Sequence, residues 1–174
     1  VQLRGDWNCP KFVYPNHGDH GYALVKLDPT SIEFLKNGIS TVDDAMTRSL
    51  AWNDLWRMVR ETEISLKTYV DVLTKNFAGE NDQIVLNQVL ATIRRGGGSV
   101  LVYWPDETPA AKEDRLKFIA TMETEFLRRL KKAKSGSDDE KLWYDAFARI
   151  TETPAGLDQL YKWFRAGRVS ANFK

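Results

Sequence analysis

One cysteine, Cys9, excludes an internal disulfide and fits a reducing, cytoplasmic setting. Two histidines, His17 and His20, leave little from which to build a metal or acid–base centre. No apolar run approaches the ~18 residues that a membrane-spanning helix needs. The N-terminus lacks the charged-then-apolar layout of a secretory signal. Charge of one sign is missing too: 25 Lys and Arg face 24 Asp and Glu, for a net charge of +1. A nucleic-acid binder would concentrate basic residues on one segment or face. The one basic run, from Arg128 to Lys134, closes an expected helix, where cations complement the helix dipole. The chain opens on Val1 rather than Met, which reads as a processed chain or a piece excised from a longer one.

What is present is globular material. Hydrophobic residues make up 43% and charged residues 28% of the 174, enough for a sizeable core. The six tryptophans favour helix–helix packing or an interface over a solvated tail. Phe12-Val13-Tyr14 and Tyr22 to Leu27 are short, aromatic and β-branched, joined by the turn-rich Pro15 to Gly21. They read as a short β-hairpin.

From Asp28 onward the spacing is helical. Thr30 to Glu33 has the form of a capping box, and Asn37-Gly38 stops a short helix. Thr41 opens a longer one carrying Val42, Ala45, Met46, Trp52, Leu55, Trp56 and Val59 on one stripe. Ser65 and Asn81 open two more. Gly96-Gly97-Gly98 interrupts the second of these, yet Val100, Leu101 and Trp104 resume its phase, which predicts a kink. Thr108-Pro109, Ser137 to Glu140 and Thr153-Pro154 each mark a further helix start. The first of these helices turns Leu116, Ile119, Phe126, Leu127 and Leu130 inward; the other two carry Leu142, Trp143, Ala146, Phe147 and Ile150, then Leu157, Leu160, Tyr161 and Phe164. The fold expected is mainly α: about seven helices in an irregular HEAT-like superhelix, an α-α array preceded by a short β-hairpin.

Chemistry is hard to find. His17, Asp19 and His20 could ligate zinc, but they lie in a glycine-rich turn with no further histidine to complete a site. Arg94 to Ser99 has the glycines of a phosphate cradle without the strand and Lys-Ser/Thr that a Walker loop requires. The carboxylates Asp43/Asp44 and Asp138/Asp139/Glu140 sit at helix starts, where the dipole already explains them. Trp52 and Trp56, four residues apart, read as core. No catalytic, cofactor-binding or metal-binding residue is assigned.

An ordered set of matches gives the chain a family likeness. Residues 15–28, Asp44 to Arg60 with its Arg48, Trp52 and Trp56, Ile64 to Val70, Glu80-Asn81-Asp82 and Ser135-Gly136-Ser137-Asp138 together resemble the C-terminal part of the aminopeptidase N family of zinc metallopeptidases, in its actinobacterial form. The likeness is strong to about residue 95 and loose beyond. Gly96-Gly97-Gly98 with Trp104-Pro105 has no counterpart, and the family's helical domain continues past Lys174. The resemblance implies that residues 1–28 are terminal strands of a β-sandwich domain and that residues 29–174 are an incomplete helical C-terminal domain. That domain covers the active-site cleft, gates peptide substrates and contacts the substrate's far end. The catalytic zinc, its ligands and the hydrolase activity belong to an upstream domain. The partners implied are those upstream domains and peptides, with no nucleic acid and no membrane. Two rival readings are a stand-alone helical-repeat module that binds a peptide or protein, and a small metalloenzyme using His17 and His20.

Overall fold

The computed structural model describes residues 10–93, 96–105 and 107–167. They form seven α-helices: α1 Pro29–Gly38, α2 Ala45–Arg60, α3 Leu66–Asn76, α4 Gln83–Ile93, α5 Pro109–Lys132, α6 Asp138–Ile150 and α7 Pro154–Arg165. Short 3-10 turns occupy His17–Asp19, Ile39–Thr41 and Phe77–Gly79. There is no strand among the described residues, so the helical array stands and the β-hairpin before it does not. Cys9, Arg94, Arg95 and the tail 168–174 lie outside the described residues. No helix among those described is long and apolar enough to cross a membrane. The chain divides into two compact units, Val1–Val85 and Leu86–Lys174.

In the first unit, side-chain oxygens set the helix starts. Asp28, not Thr30, caps α1, accepting from the Thr30 and Ser31 amides, with Pro29 at the first helical position. Asp44, not Thr41, caps α2 by accepting from the Thr47 amide at 2.7 Å. Ser65 caps α3 as expected. Helices α1 and α2 both pack on α3. Leu35, Ile39, Trp52, Leu55, Met58, Tyr69, Leu73 and Phe77 are fully buried, each such side chain stabilising the fold by roughly 1.5–3 kcal/mol. Trp52 meets Tyr69 edge-on at 5.9 Å, and Trp56 tilts against the same ring at 5.0 Å. Both tryptophans are therefore core, whereas Met46 is exposed.

The segment that reads as a hairpin is an extended strap instead. Its backbone bonds go to helix side chains rather than to a neighbouring strand. The Val13 amide donates to Ser31 Oγ at 3.1 Å, and the Val25 carbonyl accepts from the Arg57 guanidinium. Phe12 stacks on Phe34 at 5.4 Å. Val25 and Leu27 are buried, while Tyr22 and Leu24 between them and the turn are exposed. Burial on one side alone produces the alternation that mimics a strand.

In the second unit α5 packs along α6. Phe118, Ile119, Met122 and Phe126 face inward from α5, as do Trp143, Ala146, Phe147 and Ile150 from α6. Thr108, Ser137 and Thr153 cap α5, α6 and α7 as their spacing predicts. Two expectations change here. Helix α4 ends at Ile93 and does not resume; residues 99–104 form tight turns, and the Val100 amide donates back to the Thr92 carbonyl at 2.8 Å. Val100 and Leu101 are buried by that return rather than by helical phase. On α7, Leu157, Tyr161 and Phe164 point to solvent. The helix packs instead through Trp163, whose ring lies 5.4 Å from both Tyr144 and Phe147.

Candidate functional site

The histidine turn is the first place to look for chemistry. His17 Nδ1 lies 2.9 Å from Thr47 Oγ1 and 4.0 Å from an Asp44 oxygen, with its side chain 71% exposed. Asp19 accepts from the Asn16 side chain at 3.1 Å. The His20 ring lies against Gly18, where a Cβ would stand 2.7 Å from its Nε2, and the Gly18 φ of +78° is one that L side chains rarely adopt. His17 thus closes the turn onto the start of α2, while Asp19 bonds within the turn. The described residues contain no group of three or more His, Cys, Asp or Glu able to hold a metal ion, so they do not fit a zinc site.

Two polar clusters missed by sequence reasoning lie nearby. Tyr14 donates its hydroxyl to Asp54 Oδ2 at 2.6 Å, and Arg57 stands 3.5 Å from the other Asp54 oxygen. Burial raises the pKa of both Tyr14 and Asp54; for Tyr14 the Asp54 hydrogen bond adds to it. The cluster fastens the strap to α2. Arg48 meets Glu80 through two bonds of 2.8 and 3.1 Å, and donates to the Val42 and Asp43 carbonyls as well. Glu80 also accepts from the Asn81 and Asp82 amides. The pair joins the entry of α2 to the turn after α3. Its partners are 32 residues apart, so no local pattern reveals it.

The second unit carries a cleft of about 530 Å³, lined by Leu101, Val102, Trp104, Lys112, Arg115, Leu116 and Glu152. Trp104 stacks on Phe118 at 5.3 Å and donates to the Ala111 carbonyl. Arg115 and Glu152 form a two-pronged ion pair across one wall. Val102 and Leu116 present apolar surface to solvent, although α5's spacing places Leu116 inward. Beneath this wall Glu123, 5% exposed, reaches from α5 to the start of α7. It accepts from the Glu152 amide at 3.0 Å, the Thr153 amide at 3.2 Å and the Thr153 hydroxyl. A buried carboxylate thereby satisfies donors that the α7 N-terminus leaves open.

Two members of the basic run at the end of α5 are held by their neighbours. Arg128 and Arg129 both pair with Glu125, and Arg129 lies over the Trp143 ring at 4.8 Å.

Among the described residues the turn and the cleft sit in a mainly helical array. The chain belongs to the ERAP1-like C-terminal domain family, whose model matches residues 12–172. It is 28% identical over 152 residues to the aminopeptidase N of Streptomyces lividans. That match takes in 87% of this chain and only 17% of the relative's length. No solved structure matches. The chain is thus a mainly helical C-terminal domain related to aminopeptidase N.

Proposed function

We propose that this chain is the accessory helical domain of a zinc-dependent aminopeptidase that removes N-terminal residues from peptides. In that reading the zinc and its ligands lie upstream. Residues 1–28 lead in from a preceding domain, and residues 29–174 cover the active-site cleft and gate peptide entry in a cytoplasmic enzyme. The observation that carries the reading is the family match over residues 12–172 together with the likeness to one part of an aminopeptidase N. Stacked helices suit such a cover, because an array of this kind can admit a flexible peptide and exclude a folded protein. Exposed Tyr22 and Leu24 on the strap and Leu157, Tyr161 and Phe164 on α7 support contact with further parts of the parent protein.

The test has two arms. The isolated chain, supplied with zinc, is assayed on aminoacyl anilides; the expected result is no turnover. The parent enzyme is then compared with a version lacking residues 29–174, on an anilide and on peptides of increasing length. Loss of discrimination by length supports the gate. Anilide hydrolysis by the isolated chain that survives purification and vanishes in His17→Ala overturns the reading. Unchanged discrimination without the domain leaves it as an interaction module rather than a gate.

A further inference from the structure

We draw no further inference here: the strongest candidate, the cleft between residues 101–104 and α5 with Lys112 on its wall, has a mixed apolar and charged lining for which nothing in the structure shows what covers it, and seating the far end of a peptide there would restate a property already implied by the family resemblance.

Discussion

Replacing Gly156 by alanine is the sharpest test of the α5–α7 junction. In an ordinary helix the change is favourable by up to about 1 kcal/mol. Here a Cβ on residue 156 would stand 2.6 Å from one Glu123 oxygen, 2.8 Å from the other and 2.7 Å from the carboxyl carbon between them. The carboxylate must swing away, and it is buried with three donors on it. Losing one bond to a charged group costs roughly 1.5–3 kcal/mol, and a stranded donor adds about 1 kcal/mol or more. After the propensity gain is subtracted, Gly156→Ala is expected to destabilise by about 2–3 kcal/mol. At ~2–4 °C per kcal/mol for a chain of this size, Tm falls by about 4–12 °C. Thermal melts followed by helical circular dichroism and by tryptophan fluorescence measure this. The diagnostic step is the double-mutant cycle with Glu123→Ala. In that background the clash has no target, so Gly156→Ala should become neutral or stabilising. A Gly156→Ala protein that melts at or above the parent temperature, with no coupling in the cycle, refutes the reasoning.

Three other outcomes follow from the same geometry. Tyr14 has its pKa raised in the folded chain, so its contribution is complete below the unfolded phenol's pKa near 10 and is lost as pH rises further; urea titrations from pH 8 to 11 should show the wild type losing stability more steeply than Tyr14→Phe. Arg48→Ala removes the cation beside Glu80, which is 4% exposed, and should cost about 3 kcal/mol, while Arg48→Met with Glu80→Gln should recover much of it in the same denaturant assay. Gly97 has open space and an ordinary φ, whereas Gly98 has φ +86°; Gly97→Ala should be neutral to slightly stabilising, and Gly98→Ala should lose about 1 kcal/mol.

Where a helix starts was written mostly in single side chains. Ser65, Thr108, Ser137 and Thr153 could be read because a cap needs only an oxygen within three residues of the amide it receives. Asp28 and Asp44 outcompeted Thr30 and Thr41 for the same task, and from spacing alone the choice between neighbours is close. The β-hairpin failed for another reason. Alternation at Tyr22 to Leu27 reports that one side is covered, and says nothing about whether a strand or a helix covers it. Phase agreement misled at Val100 and Leu101, since a chain folding back through turns buries them as well as a helix would. On α7, apolar spacing gave a face without naming its cover: the packing runs through Trp163, and Leu157, Tyr161 and Phe164 stay in solvent. The candidate site was the least legible. His17 and His20 stood out by rarity alone, while Glu123, Arg48 and Glu80 are common residue types whose roles arise from partners about 30 residues away.

The strap has a consequence for how the chain is made. Tyr14 and the Asp54 carboxylate that receives its hydroxyl are 40 residues apart, and Val25 waits for Arg57 across 32. At ribosomal rates of roughly 5–20 residues per second, Tyr14 precedes its seat by about 2–8 seconds. For that interval the aromatic strap travels without its seat on α2, and its docking precedes the arrival of α3, on which α1 and α2 pack. Early chaperone engagement should therefore fall on nascent chains that end before α2 has emerged.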